Sequence, residues 1–372
     1  MATVQGTRLT LSDTVGLAID MSPVIQLIDP FDVGALTYIG MSTLDKPAVA
    51  TKHEWMEDTL RPLTDVLNEA LDASETDVTT TDGTIFRAYD LIKIEDELML
   101  VTSIATNDLT VIRGYAGSTA ATHSTALTIE IVSSAVLEGS GAGAARSTVK
   151  TSKSNYTQIF EDVVQVSSTL EAVEQWNPGS EYARQLAKTM KVFMIGLDKA
   201  LIYGKAYAGT AANPRTLGGL IHYITTNVTS AAGAQLSEKL FQDSLNLTYD
   251  AGGNVSCALM VLRQKQAMNL FMAANRRTDM GNRRAGAIVD TYFWDHGDVD
   301  TVIDRWFPNN RVMFLTKEYL GFGPLAGETP KHEILPKTSR LFQKGQVTAE
   351  MTAEVKSEKA HAQLTTLATV IV

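Results

Sequence analysis

The stretch from Asn155 to Gly219 constrains this chain most. It begins as NYTQIFEDVVQVSSTLEAV, breaks at Pro178-Gly179, continues as SEYARQLAKTMKVFMIGLDKALIYGKAY and closes with NPRTLGGL. From Thr157 to Ser167 the pattern alternates. Ile159, Glu161, Val163 and Gln165 share one parity, and Phe160, Val164 and Val166 the other, which predicts a strand. Beyond the break, Ala183, Leu186, Ala187, Met190, Phe193, Met194, Leu197, Ala200 and Leu201 recur at threes and fours. That spacing gathers them on one helix face, and Lys188, Lys191, Asp198 and Lys199 take the remainder. Ser180 is placed to cap the helix and Glu181 to meet the positive end of its dipole. A helix of about 25 residues runs roughly 35–40 Å, long enough to act as a spine for other layers. No catalytic grouping is set into it.

At 372 residues the chain forms more than one domain, or one with large insertions. Its 44% hydrophobic and 20% charged residues are those of a globular protein with a core. The net charge of −10 argues against a main surface built to bind nucleic acid, because phosphate contacts need Lys and Arg. Cys257 is the only cysteine, so no intrachain disulfide forms and a cysteine zinc site has no support. Within CALMVL it reads as a buried, inert thiol. The start MATVQGTRLTLSD has neither a basic nor an apolar signal region. No run of about 18 apolar residues predicts a membrane span. A cytosol-like compartment is expected.

Along the chain, residues 1–35 are weakly periodic and broken by Pro23 and Pro30, as in an extended arm. Residues 45–65 are polar for a segment with strand character. Lys46, Lys52, His53, Glu54, Glu57, Asp58 and Arg61 crowd around Trp55 and Met56. This predicts a protruding β-loop that grips a neighbouring subunit by charge pairs, with Trp55 as anchor. A solvated hairpin is the plainer alternative. Residues 70–136 are short β-branched runs divided by Asp82-Gly83, Asn107-Asp108 and Gly114–Gly117, a small all-β module. Ten acidic residues there face only Arg87, Lys93 and Arg113, without the dense spacing of a calcium loop. EGSGAGAAR (138–146) reads as a linker.

Further on, Ser237 is placed to cap a helix through Asp250. CALMVL (257–262) predicts a buried strand, and residues 263–277 a helix, so an α/β layer is expected. Residues 287–294, 298–304 and 311–315 read as strands. In QVTAEMTAEVKSE, Val347, Ala349, Met351, Ala353 and Val355 alternate with Thr348, Glu350, Thr352, Glu354 and Lys356, which predicts a long half-buried strand.

The search for chemistry returns little. Asp295, His296, Asp298 and Asp300 resemble a metal cluster by composition. On a strand, however, Asp298, Asp300 and Asp304 share one face beside a turn, which reads as a solvated face. The six histidines are scattered without metal-ligand spacing. No Gly-x-Ser-x-Gly elbow and no phosphate-binding Walker pattern occur. Arg276, Arg277, Arg283 and Arg284 form the one basic cluster. Without interleaved aromatics it predicts pairing with a neighbour's carboxylates rather than with nucleic acid. No catalytic, cofactor-binding or metal residue is assigned.

The segments 155–173, 180–204 and 216–224 (TLGGLIHYI) resemble the entry strand, spine helix and glycine turn of tailed-bacteriophage major capsid proteins with the Hong Kong 97-like fold. Residues 288–325 resemble that family's axial-domain hairpin and strands, and Gln346–Val355 its long peripheral strand. The resemblance implies an α+β fold with a long spine helix, axial and peripheral domains, and an extended loop carrying a small all-β insertion. It divides the chain into an N-terminal arm (1–35), the first part of the extended loop (36–69), the inserted β module (70–136), a linker, return strand and peripheral domain with the spine helix (137–215), an axial domain (216–329) and peripheral C-terminal strands (330–372).

The implied function is structural: many copies assemble as pentamers and hexamers into an icosahedral shell around double-stranded DNA, which is enclosed without sequence-specific binding. The implied partners are further copies of the chain, a separate scaffolding protein, a portal and a cement protein, with no membrane and no cofactor. The implied location is the virion, and the host cytoplasm during assembly. The expected inter-subunit contacts are Lys46, Lys52, Glu54, Trp55, Glu57, Asp58, Arg61, Arg276, Arg277, Arg283 and Arg284. Some members of the family weld subunits through Lys–Asn isopeptide bonds. Lys46 and Lys52 lie in the corresponding loop, but the sequence identifies neither an acceptor Asn nor a catalytic Glu. The alternatives are an encapsulin-type nanocompartment shell and, in a different class, a metal-dependent hydrolase using Asp295, His296 and Asp298.

Overall fold

The chain divides into two units, one of residues 56–152 and the other of everything before and after them. The computed structural model describes residues 29–141, 143, 145–173, 179–272, 291–294, 297–336 and 341–369. Its elements begin with α1 (Gly34–Ile39) and β1 (Lys52–Glu57). They continue through β2 (Thr64–Val66), β3 (Asp77–Thr79), β4 (Asp90–Ile94), β5 (Glu97–Ala105), β6 (Asp108–Ile112) and β7 (Thr128–Ser134). After β8 (Thr151–Tyr156) and β9 (Gln158–Ser167) come α2 (Ser168–Ala172), α3 (Glu181–Tyr203) and α4 (Leu220–Tyr223). Then follow β10 (Val228–Ser230), α5 (Glu238–Asp250), β11 (Cys257–Met260), α6 (Leu262–Met272), β12 (Thr291–Trp294), β13 (Gly297–Ile303) and β14 (Val312–Leu315). The last four are β15 (Leu320–Pro324), β16 (Lys331–Leu335), β17 (Phe342–Val355) and β18 (Ala362–Thr365).

The predicted spine is α3. The Ser180 hydroxyl accepts the Ala183 N–H at 3.3 Å, and Glu181 sits in the first turn. Phe193, Leu197, Leu201 and Ile202 are buried with Val347, Ala349, Met351, Ala353 and Val355 of β17 in one core. Met190, on the edge of the stripe, is 46% exposed. β17 is 14 residues long, roughly 45 Å of extended chain. β9 runs antiparallel along one edge, from Phe342 opposite Ser167 to Met351 opposite Gln158. β16 and β15 follow one another along the other edge.

The half-buried reading of β17 holds for its apolar face only. Glu350, Thr352 and Glu354 on the polar parity are also buried. Each has a partner: Glu350 binds Arg215 and Thr157, the Thr352 hydroxyl donates to the Tyr156 carbonyl, and Glu354 binds His53 and Lys356. A strand can bury both faces when its polar side is satisfied in this way.

A six-stranded mixed sheet, in the order β10-β18-β14-β11-β13-β12, explains the continuous apolar run at 257–262. Cys257, Leu259, Met313 and Leu315 point into the core shared with α3. Ala258, Met260, Val312 and Phe314 point to the opposite core, with Phe241 and Leu245 of α5 and Met268 of α6. A central strand covered on both sides loses the alternating pattern.

Two residues read as solvent-facing from the sequence are interior. Asp198 and Asp304 are both 0% exposed. Each accepts a hydrogen bond from the start of α1, the Ala35 N–H reaching Asp304 Oδ2 at 3.0 Å and the Leu36 N–H reaching Asp198 Oδ1 at 2.8 Å. Asp198 lies on the flank of the apolar stripe, and α1 covers it there.

The unit of residues 56–152 is a barrel. Its strands pair in the order β2-β7-β4-β5-β6-β3. The ring closes where Leu67 bridges Thr80 and the Asn68 N–H donates to the Thr79 carbonyl at 2.9 Å. Leu67, Val78, Ile92, Met99, Leu109 and Ile129 are among its fully buried interior. Arg113 locks one end and uses all five of its N–H groups. Two go to Glu97 at 2.7 and 2.8 Å, and three to the carbonyls of Asp72, Glu75 and Ala121. Glu97 also accepts from the backbone N–H groups of Gly114 and Ala121 and bonds His123. The 138–146 run does not simply hang free. Its last residue, Arg146, binds the buried Asp90 and the Ile85 carbonyl.

Burial works to raise the Glu97 carboxyl, but the hydrogen bonds from Arg113, Ala121, His123 and Gly114 together hold it down to about 2. A depressed carboxylate contributes stability above its unfolded value of 4.5 and loses it as pH falls toward about 2. The barrel is therefore expected to lose stability across that window, as thermal melts at successive pH values will show. Glu97→Gln should flatten the dependence.

The glycine turn exists because chain meets chain. A Cβ on Gly219 would lie 2.4 Å from the Leu201 carbonyl oxygen, and one on Gly204 would lie 2.5 Å from the carbonyl oxygens of Ala200 and Leu217. Both contacts are to backbone, which cannot rotate away. Gly219→Ala is expected to cost about 3 kcal/mol or more, measurable as a lower urea midpoint of the purified chain.

Candidate functional site

Several segments distant in sequence meet where β1 and β8, paired with each other, join the larger unit. His53 on β1 binds Glu354 on β17. Lys356 bridges Glu354 and Asp45, both at 2.9 Å. Burial pushes the Glu354 carboxyl up, yet the bonds from His53 and Lys356 leave it below its ordinary value. Trp55 is only 6% exposed, edge-on to Tyr223 at 5.9 Å. The Tyr223 hydroxyl donates to the Ser154 carbonyl at 2.8 Å, and burial raises that phenol.

Asn155 ties β8 to β17 and to the glycine turn. Its Nδ2 donates to the Gly218 carbonyl at 2.9 Å and to the Ala353 carbonyl at 2.7 Å. Its Oδ1 accepts from the N–H groups of Gly218, at 2.7 Å, and Tyr156, at 2.8 Å. All four hydrogen-bonding positions of the amide are used. Beside it, Arg215 donates Nε to the carbonyl and hydroxyl of Thr157, both at 3.0 Å, and Nη2 to Glu350. Reading the sequence missed Asn155, Arg215 and Glu350. The one available signal was the row of acids on the polar side of β17, a poor fit for a strand beside an apolar helix unless cations meet it.

The expected contact residues separate by environment. Lys46, Lys52, Glu54 and Asp58 are exposed, and Glu57 and Arg61 are half-buried. Lys52 pairs with Glu54 on the outer side of β1, and Asp58 accepts from the Thr148 hydroxyl at 3.2 Å. Trp55 points inward and packs within its own chain. The neighbouring apolar side chains are the ones presented to solvent, Met56 at 77% and Leu60 at 95% exposure. Arg276, Arg277, Arg283 and Arg284 lie outside the described residues.

Of the hydrolase grouping, Asp298 and Asp300 fall among the described residues. Asp295 and His296 lie outside the described residues. Asp298 and Asp300 stand exposed on β13, with Asp300 accepting from the Thr291 hydroxyl at 3.0 Å. Asp304 has turned inward to α1. Among the described residues, no three His, Cys, Asp or Glu come together as a metal site.

A family model described as SU10 major capsid protein matches residues 3–368, nearly the entire chain. The chain belongs to this family. The fold agrees. A chain of the cyanophage A-1(L) capsid asymmetric unit superposes with a TM-score of 0.59 at 9% identity, over 98% of this chain and 100% of that one. The Gordonia phage Cozz structure gives 0.53 at 12% identity over 98% and 97%, and Microbacterium phage Oxtober96 gives 0.52 at 12% over 96% and 98%. At such identities the likeness is one of fold, the Hong Kong 97-like fold of tailed-phage capsids. No curated protein matches the sequence. This is a phage major capsid protein, a structural subunit that associates with its own kind in the capsid. The family match decides between it and the nanocompartment alternative.

In this capsid protein Asn155 is the brace at the root of the β1–β8 ribbon. Asn155→Ala leaves the amide of Gly218 and the carbonyls of Gly218 and Ala353 buried without partners. The expected loss is about 2–3 kcal/mol, read by urea unfolding, with the barrel's own transition unmoved.

Proposed function

We propose that this capsid protein closes into an icosahedral shell of pentamers and hexamers around double-stranded DNA and catalyses no reaction. The observation that carries the proposal is the family match across residues 3–368. In this reading residues 1–35 are an arm and 36–69 begin an extended loop that carries the β module. Residues 147–215 and 330–372 form the peripheral domain, and 216–329 the axial domain around the capsomer axis. Arms and loops overlap neighbouring subunits, so that modest contacts are multiplied by closure.

Charge supports the division of labour. Residues 56–152 hold 15 acidic and six basic residues, a net −9 of the chain's −10, which leaves −1 for all the rest. A nearly neutral remainder suits surfaces that must meet copies of themselves, and the strongly acidic unit suits exposure to water. DNA is then enclosed without being gripped, since adhesion would need clustered cations. A separate scaffolding protein, a portal and a cement protein complete the proposed partners, with assembly in the host cytoplasm.

Lys46, Lys52, Glu54, Glu57, Asp58 and Arg61 set the register of the loop against its neighbour in this proposal, with Met56 and Leu60 as its exposed apolar contacts and Trp55 as an internal brace. The cluster of Arg276, Arg277, Arg283 and Arg284 is assigned a similar inter-subunit role. Sedimentation velocity with negative-stain imaging tests the whole. Megadalton closed shells, or rings of five and six, are expected. A monomer or dimer at every salt and pH, even beside its scaffold, overturns the reading. Reversing Lys46, Lys52 and Arg61 to Glu together is expected to leave the monomer's melting unchanged and to lower the yield of shells. Shells of normal yield and salt resistance would remove the loop's electrostatic role.

A further inference from the structure

We propose that Asp198 and Asp304 form a proton-sharing latch that holds α1 onto α3, so that α1 docks less tightly as the pair loses its proton. The two carboxyl groups come from different parts of the fold, α3 and the turn after β13. Both are fully buried, they accept from neighbouring N–H groups of α1, and Asp198 Oδ2 meets no donor among the described residues. Two carboxyl groups packed together in a dry site cannot both stay ionised, so the pair keeps one proton. The pair takes hold of two successive N–H groups of α1, those of Ala35 and Leu36. Asp304 Oδ1 accepts from the Trp306 N–H at 2.7 Å, which fixes its plane. The fit is tight: a Cβ on Gly34 would lie 2.3 Å from the Ile303 carbonyl oxygen.

Among the described residues, no cation offsets the charge on Asp198. On the segment leading into α1, Asp32 adds negative charge, and burial together with Asp304 raises its own carboxyl. Arg305, beside Asp304, lowers Asp32 through its charge and its backbone N–H, and acts on Asp32 rather than on the pair. On α3, Lys199 lies over the Trp306 ring, 3.9 Å from its centroid, and Tyr203 donates to the Trp306 carbonyl. Arg311 acts on Tyr203, and Lys317 lies over Tyr38. Burial and the neighbouring Asp304 push Asp198 up to about 8, against the lowering effect of the Leu36 N–H.

The sign follows from linkage. With α1 undocked, water reaches the pair and Asp198 returns toward its ordinary 3.8. Between that value and about 8 the docked form holds one more proton than the undocked form. Docking therefore weakens as pH rises, by up to about tenfold per unit, and levels off once the docked pair itself ionises.

Hydrogen exchange on the full chain tests this. Protection of peptides covering residues 33–40, corrected for the intrinsic exchange rate, is expected to fall about tenfold or more between about pH 5.5 and about pH 8.5, with barrel peptides unchanged. Asp198→Asn keeps the acceptor for Leu36 and cannot ionise, so its protection should be flat across that range. Flat protection in the unaltered chain, or a parallel fall in Asp198→Asn, overturns the proposal. Should that variant fail to fold, infrared difference spectra of the unaltered chain decide. A protonated-carboxyl stretch that vanishes as pH rises through about 8 upholds the latch, and no such band above about pH 6 overturns it.

Discussion

Burial of one stripe of α3 against β17 is the contact on which the larger unit depends. Phe193, Leu197, Leu201 and Ile202 meet the inward side of β17, and each such side chain taken fully from water contributes about 1.5–3 kcal/mol. The same helix fixes other pieces without further apolar area. Its C-terminal carbonyls at Ala200 and Leu201 receive the glycine turn at backbone distance, and its Asp198 holds α1. A shift of α3 along β17 would misplace all of these together, so its register is set several times over.

The periodic elements were legible in the sequence. The period of three and four marked α3, the alternation marked β9 and β17, and Ser180 and Ser237 mark real helix caps. These signals are local, and the structure merely repeats them. What escaped was buried polarity. Asp198 stands four residues after Met194 and three before Leu201, so its spacing already placed it beside the stripe. Its charge argued for solvent, and the opposing donors came from α1, far away in sequence. Glu350 and Glu354 escaped for the same reason, because Arg215 and His53 arrive from separate segments. Trp55 lies on the buried side of β1 with His53, while Glu54 and Met56 beside it alternate to the exposed side.

The buried polar links do something the apolar core cannot. A hydrophobic face tolerates sliding, whereas Asn155 is satisfied only when Gly218, Ala353 and Tyr156 all stand in place. Arg215 with Glu350, and His53 with Glu354, are similarly exclusive. Each leaves an uncompensated buried group if its partner is displaced. The root of the β1–β8 ribbon is therefore specified by hydrogen-bond geometry, while the body of the unit is specified by volume.

Closure of the barrel by Leu67 and Thr80 has a consequence for a protein that must live in extreme crowding beside identical copies. An open sheet ends in a row of unsatisfied N–H and C=O groups, and an identical edge on the next molecule is their natural complement. With β2 joined to β3 the barrel offers no such row. Its −9 charge adds mutual repulsion. The barrel can thus be carried in many copies at close quarters without supplying an open sheet edge for self-adhesion.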